Sequence, residues 1–122
     1  MNKMHINIKN LRLRTFIGFN EEEKNKQQDI VINAHISYVP DSEVSQDNVD
    51  SILDYKSITK NIIRHVEQGS FLLLEKLVLD VLELCTRNSL VDYANVTIDK
   101  PHALRFADSV SVSAEYNNAI GV

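Results

Sequence analysis

The order of hydrophobic periodicities restricts this chain to a small set of folds. Four segments alternate apolar and polar side chains as β-strands do; they are residues 4–16, 29–39, 92–99 and 109–116. Between the two pairs, residues 54–67 and 72–88 place apolar side chains three or four positions apart, which is typical of amphipathic helices. The predicted order is therefore ββααββ. Because two helices are too few to cover both faces of a four-stranded antiparallel sheet, we expect an α+β fold with both helices on one face.

Interruptions in these patterns predict how the elements are connected. In the first strand the apolar positions change phase near Asn10, which indicates a bulge or a bend. The polar segment 18–28, with three consecutive glutamates, predicts a long hairpin loop with a functional tip. Segment 41–50 is acidic and polar and predicts a crossing connection, and Gly69 is a plausible end for the first helix. We expect the tail, residues 117–122, to be disordered.

Length and composition exclude several classes of protein. A chain of 122 residues predicts one domain, residues 1–122. A net charge of -4 gives no general attraction for nucleic acid or an anionic membrane. The longest apolar stretch, residues 71–84, is too short and too charged to span a bilayer, and the N-terminus lacks the apolar region of a signal peptide. The single cysteine, Cys85, lies on the apolar face of the second helix and excludes an internal disulfide. We therefore expect a cytoplasmic protein.

The predicted sheet leaves one face and two edges without a partner in the same chain. Exposed strand edges favour pairing between chains, and closing several copies into a barrel removes the edges. The pattern alone therefore indicates self-association, without fixing the number of subunits.

Several motifs resemble those of the dihydroneopterin aldolase/epimerase family and occur in the same order along the chain. The first covers residues 10–18, NLRLRTFIG, with the glutamates at 21–23 and the segment QDIVIN at 28–33. The second is LLLEKL at 72–77, and the third is TIDK at 97–100 followed by PHALR at 101–105. The resemblance covers nearly the whole chain. Residues 11–18, 60–67 and 102–110 resemble the epimerases of the family more than its typical aldolases.

This resemblance implies a tunnelling fold in which four subunits join their sheets into a barrel, two barrels stack into an octamer, and active sites lie between subunits. It implies a small-molecule pterin substrate, no cofactor, and an isomerase that inverts the 2′-carbon of 7,8-dihydroneopterin triphosphate by retro-aldol and aldol steps, with weak aldolase activity. Two alternatives remain open. One is an aldolase that releases glycolaldehyde from the unphosphorylated pterin in folate synthesis, and the other is a non-catalytic pterin-binding ring.

The resemblance also assigns catalytic roles. Lys100 matches the lysine that transfers a proton in the retro-aldol step, Glu23 a glutamate near the reacting side chain, and Tyr55 the active-site tyrosine at the start of the first helix. Each has a structural alternative. A lysine at a strand end or a glutamate in a charged loop is usually solvated, a tyrosine at a helix end often packs against its neighbours, and Glu21 or Glu22 could replace Glu23.

Substrate-binding roles follow from the same motifs. Glu75 matches the family's pterin anchor, because a carboxylate can accept two hydrogen bonds from the exocyclic amine and a ring nitrogen. Its alternative is a solvated charge at a helix N-terminus. The resemblance also implies substrate contacts for Leu53, Leu74, His102 and Arg105.

A triphosphate requires positive charge, and the sequence offers more than one source. Arg105 and His102 lie in the third motif, whereas Arg12 and Arg14 share a face of the first strand by its period of two. Charged side chains on an edge strand also serve to prevent aggregation, so the two strand arginines have a structural alternative.

A catalytic metal is not expected. The four histidines, His5, His35, His65 and His102, are scattered, and the chain contains neither a His-x-His nor a Cys-x-x-Cys pair.

Overall fold

A mixed sheet with two long helices forms the framework of the chain in the computed structural model, which describes residues 2–118. The elements are β1 (Met4–Ile17), α1 (Glu21–Lys24), β2 (Gln28–Tyr38), α2 (Tyr55–Glu67), β3 (Ser70–Phe71), α3 (Leu74–Thr86), β4 (Val91–Lys100) and β5 (Val110–Asn117). Two short 3-10 turns, Ser42–Gln46 and Val49–Ser51, connect β2 to α2. The strand order is β3-β1-β2-β4-β5.

The predicted ββααββ order is confirmed, with two additions. The sheet has five strands rather than four, because β3 pairs in parallel with the end of β1, Phe16 with Ser70 and Ile17 with Phe71. Two residues are too few to show alternation, so the sequence pattern does not reveal this strand. The loop predicted at 18–28 contains the single helical turn α1. Helix α3 is two residues shorter at each end than predicted. Residues 119–122 of the tail predicted to be disordered lie outside the described residues, and Asn117 ends β5.

The predicted irregularity in β1 lies at Asn10. The pairing of β1 with β2 shifts register between Ile8 and Leu11, and Asn10 has a left-handed φ of 53°. The backbone N–H of Asn10 donates to the Asn33 side-chain oxygen at 2.9 Å, which compensates for the broken ladder. The bulge explains why the apolar positions on the two sides of Asn10 have opposite phase.

Both helices pack against one face of the sheet and form the core with it. Helix α2 contacts β1, and α3 contacts β4 and β5. Alternate residues of β2 and β4 are buried beneath them, together with the inward stripes of the helices; these include Ile30, Ile32, Ile36, Val96, Ile98, Ile62, Val66, Leu77 and Val81. Helix α2 begins at Tyr55 because the Asp54 carboxylate accepts hydrogen bonds from Lys56 N and Ser57 N. Within residues 2–118, no helix is long and apolar enough to cross a membrane.

The sheet face away from the helices is polar. One row of side chains crosses four strands, and each residue pairs with the next on the neighbouring strand: Asn7, His35, Asn95 and Glu115. His35 Nδ1 lies 2.8 Å from the Asn7 side-chain oxygen, and His35 Nε2 lies 3.2 Å from His5 Nδ1. Such a face is compatible with water or with another subunit. In the described chain, β5 pairs on one side only, and β1 pairs on its second side only at Phe16 and Ile17.

Candidate active site

The centre of the candidate site is an ion pair between the end of β4 and the turn α1. Lys100 is the last residue of β4 and has the same phase as the core residues Val96 and Ile98, so only 9% of it is exposed. Its Nζ donates to Glu23 Oε2 at 2.7 Å. Of the three adjacent glutamates, Glu23 is therefore the one that the structure brings to the lysine predicted to be catalytic.

Two further contacts fix the carboxylate of Glu23. Glu23 Oε1 accepts from Asn20 N at 3.4 Å and so closes a capping box at the start of α1. Gln28 Nε2 donates to Glu23 Oε2 at 3.3 Å and to Ile17 O at 2.5 Å. The hydrogen bond from Lys100 is the largest cause that holds the pKa of Glu23 below its usual value. The pair is therefore held in a partly buried, hydrogen-bonded setting.

Gly18 makes the position of Glu23 possible. Its φ is +131°, and a Cβ built at this position would overlap the carboxyl group of Glu23. The backbone N–H of Gly18 also donates to Phe71 O at 2.9 Å, which continues the pairing of β1 with β3. One glycine therefore connects the ion pair to the strand that precedes α3.

Glu75 and Leu74 lie at this same end of the sheet, because α3 starts three residues after β3. Leu74 is half-buried and Glu75 is exposed in the first turn of α3, where a carboxylate interacts favourably with the helix dipole. An adjacent apolar cleft of about 410 Å³ is lined by Ser70, Phe71, Leu72, Leu73 and Lys76. Leu72 and Leu73 are more than half exposed, so this corner offers a flat apolar surface beside a carboxylate.

Tyr55 and Leu53 lie at the opposite end of the subunit. Helix α2 begins close to the end of β2, after a turn in which Asp41 N donates to Ser51 O. The helix ends beside β1, where Val66 O accepts a hydrogen bond from Thr15 Oγ1 at 2.7 Å. Eleven residues separate Tyr55 from Val66, which corresponds to about 16 Å along the helix axis. Tyr55 is 51% exposed, and Leu53 is buried at 2% in its own subunit. One subunit therefore does not bring Tyr55 to Lys100.

The basic candidates separate into two places. His102 and Arg14 line a cleft of about 180 Å³ together with Lys100, and Arg12 and Arg14 line a neighbouring cleft of about 270 Å³. Arg105 instead lies over the ring of Phe106 at 5.4 Å, in an exposed loop. The structure thus places His102 and Arg14 at the cleft that Lys100 lines, while Arg105 has a different local partner.

Several site residues had no distinguishing signal in the sequence. Gln28 and Asn20 hold Glu23 in place, but a glutamine at a strand start and an asparagine before a charged turn are common at surfaces. Gly18 belongs to the first motif, yet its close approach to Glu23 depends on the path of the loop. Only the fold reveals these supporting contacts.

His65 and Cys85 have structural partners or surroundings. Residues 2–118 contain no group of three or more His, Cys, Asp or Glu side chains that could hold a metal ion. His65 instead bonds the carboxylate of Asp80 at 2.8 Å. Burial raises the pKa of the Cys85 thiol to about 12, so this residue is a core side chain and not a nucleophile.

The chain is similar to known enzymes that act on pterins. The family model for dihydroneopterin aldolase matches residues 6–115. The dihydroneopterin triphosphate 2′-epimerase of Escherichia coli K12 is 54% identical over 111 residues, which cover 91% of this chain and 92% of the relative. The epimerase of Pseudomonas aeruginosa is 50% identical over 108 residues, 88% of each chain.

The aldolases are more distant but have the same fold. The dihydroneopterin aldolase of Escherichia coli K12 is 27% identical over 111 residues, 91% of each chain. The crystal structure of the Escherichia coli aldolase in complex with neopterin superposes with a TM-score of 0.85 at 25% identity, covering 93% of this chain and 99% of that one.

Proposed function

The chain belongs to the dihydroneopterin aldolase family, and we propose that it acts in that family as a dihydroneopterin triphosphate 2′-epimerase. The reaction converts 7,8-dihydroneopterin 3′-triphosphate to 7,8-dihydromonapterin 3′-triphosphate. The observation that carries this proposal is the contrast in identity: over the same length, the chain is twice as similar to the epimerase as to the aldolase of one bacterium.

The pterin ring is bound at the corner formed by β3 and the start of α3. The carboxylate of Glu75 accepts hydrogen bonds from the exocyclic amine and the adjacent ring nitrogen, a charge-assisted bidentate contact. Leu74 and the exposed leucines before it provide an apolar surface for the flat ring. Neopterin in the related aldolase structure supports a ligand of this class.

The Lys100–Glu23 pair moves the proton. It takes the proton of the 2′-hydroxyl, directly or through a water molecule, and the bond between the 1′- and 2′-carbons breaks. The bonding electrons enter the ring imine to form an enamine, and the 2′-carbon becomes an aldehyde. The aldehyde rotates within the site, and the enamine adds to the opposite face of its carbonyl group. The alkoxide that forms at the 2′-carbon regains its proton. Every atom is returned, so the step needs no cofactor.

The complete site requires a second subunit. Tyr55 and Leu53 lie far from Lys100 in one chain, and the sheet has open edges at β1 and β5. We propose that β5 of one copy pairs with β1 of the next, that four copies close a barrel, and that two barrels form an octamer. Tyr55 and the backbone around Leu53 then meet the Lys100–Glu23 pair of the neighbouring subunit. A reduced Cys85 is compatible with a cytoplasmic location.

Aldolase activity is the second function that this site can support, because the first step of both reactions is the same. If the aldehyde leaves and the enamine is protonated, the product is 6-hydroxymethyl-7,8-dihydropterin. The aldolase fold neighbours favour this as a slow side reaction. A ring that only binds pterin is the remaining alternative, and the Lys100–Glu23 geometry argues against it.

The test is chromatography of products after incubation with 7,8-dihydroneopterin triphosphate and, in parallel, with 7,8-dihydroneopterin, with no metal added. We expect rapid formation of the 2′-epimer from the triphosphate and slow formation of the hydroxymethyl product. A dominant hydroxymethyl product from the free pterin would instead identify an aldolase, and pterin binding without turnover would identify a binding protein.

Two pairs of variants test the proton-transfer role of Lys100 and the pterin-anchoring role of Glu75. Lys100→Met should reduce both activities about 10²–10⁴-fold, whereas Lys3→Met, which removes a lysine paired with Asp92 elsewhere, should change neither. Glu75→Gln should mainly raise KM, about 10–100-fold, against Glu83→Gln as the control on the same helix. Full turnover by Lys100→Met would refute the mechanism.

A further inference from the structure

We propose that Arg14, supported by Arg12 and His102, binds the triphosphate and is the residue that makes the enzyme prefer the phosphorylated pterin. This inference rests on the proposed function and deepens it. The sequence leaves four basic side chains as candidates for this role, and the structure distinguishes among them.

The position of Arg14 is the first part of the argument. Arg14 lines the 180 Å³ cleft together with Lys100 and His102, and it also lines the 270 Å³ cleft with Arg12 and Pro101. It is therefore the basic residue shared by two adjoining clefts, of which one contains the lysine predicted to be catalytic. The two clefts share Arg14 and Asp29, so they adjoin beside β1, and together they are called the basic groove.

The chemistry of the substrate requires charge in this place. If Lys100 reaches the 2′-hydroxyl, the neighbouring 3′-carbon carries the phosphate chain, so the first phosphate lies beside the lysine. The later phosphates must continue into an adjoining space. The groove past Arg14 toward Arg12 provides that space, and the imidazole of His102 can donate to the same anion.

The guanidinium of Arg14 has donors available for a phosphate. Its Nε lies 3.3 Å from Asp29 Oδ1, and its Nη2 donates to Gln27 O at 3.0 Å. Both side chains of the Arg14–Asp29 pair are more than half exposed, so the pair is weak and can rearrange. Among the contacts of residues 2–118, Arg14 Nη1 has no protein acceptor. The bond to Gln27 O holds the guanidinium at the cleft that Lys100 also lines.

The surrounding charges favour an anion at Arg14 and Arg12. The charge of Lys100 is matched by Glu23, and Asp29 offsets part of the charge of Arg14. In the described chain Arg12 forms no ion pair and only donates to Asn10 O at 3.5 Å. The groove therefore retains a positive charge that its own carboxylates do not neutralise. Planar guanidinium groups bind phosphate oxygens in pairs, which suits two arginines on one strand face.

The remaining candidate, Arg105, is less well placed. Its guanidinium lies over the ring of Phe106, and the loop that carries both residues is exposed. It does not line either cleft of the basic groove as described above. The geometry therefore selects the strand arginines over the loop arginine.

The test compares kcat/KM for 7,8-dihydroneopterin triphosphate and for 7,8-dihydroneopterin in the full-length protein. Arg14→Gln should lower the value for the triphosphate about 10–100-fold more than the value for the free pterin, mostly through KM. Arg14→Lys should restore part of the difference. Arg87→Gln is the matched control, since Arg87 is exposed and pairs with Glu83 on α3. Inorganic tripolyphosphate should inhibit the wild type competitively and the Arg14→Gln variant more weakly.

A ratio of the two kcat/KM values is insensitive to a general loss of stability, because misfolding lowers both values together. An unchanged ratio in Arg14→Gln, with wild-type inhibition by tripolyphosphate, would overturn the assignment of Arg14 while leaving the epimerase proposal intact. No turnover of the triphosphate by the wild type would overturn the proposed function instead. The two failures are therefore distinguishable.

Discussion

Glu23→Gln is the substitution that most directly tests the centre of the site. The change keeps the size of the side chain and removes its charge, so Lys100 loses its counter-ion while it remains only 11% exposed in its side chain. An exposed ion pair contributes about 0–1 kcal/mol, and breaking a fully buried pair costs about 3–5 kcal/mol. With Glu23 at 22% exposure and the two groups 2.7 Å apart, we expect a loss of about 2 kcal/mol in the free energy of unfolding.

The pH dependence of the free energy of unfolding provides an independent test of the same ion pair. The pKa of Glu23 in the folded protein lies below its usual value of 4.5, chiefly because of the hydrogen bond from Lys100. Its stabilising contribution is therefore fully present above about pH 4.5 and disappears as the pH falls through the lower, folded-state pKa. The stability difference between wild type and Glu23→Gln should be constant near neutrality and should shrink in acid.

Urea denaturation between pH 7 and pH 3 measures this difference. The protein concentration is kept fixed, because the protein is expected to associate. Glu21→Gln is the matched control, because Glu21 belongs to the same turn but its side chain is 89% exposed and lies 3.4 Å from Lys24. We expect no measurable effect from this control. Equal stabilities of Glu23→Gln and Glu21→Gln, or a difference that persists unchanged at low pH, would refute the reasoning.

Two further predictions concern Gly18 and Cys85. Gly18→Ala should destabilise the protein by about 1–3 kcal/mol and lower activity, because its Cβ would displace the Glu23 carboxylate and its φ of +131° is unfavourable for alanine. Circular-dichroism melting with a parallel activity assay checks this, and a fully active variant of wild-type stability would contradict it. Cys85 should not react with a thiol reagent at pH 8 until denaturant is added, since it is 1% exposed and its pKa is raised to about 12. Rapid labelling of the native protein would show that α3 opens readily.

The sequence predicts those parts of the fold that have periodicity. The alternation of Ile30, Ile32 and Ile36 and the spacing of Ile62 and Val66 identify elements that the structure confirms. Strand β3 has no such pattern, because its two residues are defined by the backbone of β1 beside them. The turn α1 has no signal in the sequence, because a single turn has too few residues for a helical period.

The candidate site is predictable to a similar degree. The motifs point to Lys100, Glu23 and Glu75 as candidates, and the fold brings their segments to one end of the sheet. The burial of Leu53 and the separation of Tyr55 from Lys100 could not be predicted, because both depend on how α2 crosses the sheet. The shared groove at Arg14 likewise depends on the register of β1 with β2, which places Arg14 opposite Asp29.

The Lys100–Glu23 contact also determines when the candidate site forms during folding. It joins residues 77 positions apart, whereas β1 and β2 are consecutive strands that can pair as a local hairpin. While the chain is being synthesised, that hairpin can form before β4 exists, and Glu23 is then an ordinary exposed acid. The pair proposed to transfer the proton arises only when the C-terminal strands join the sheet. A truncated chain can therefore retain the opening hairpin and still have no chemistry, which makes activity a sensitive indicator of complete folding.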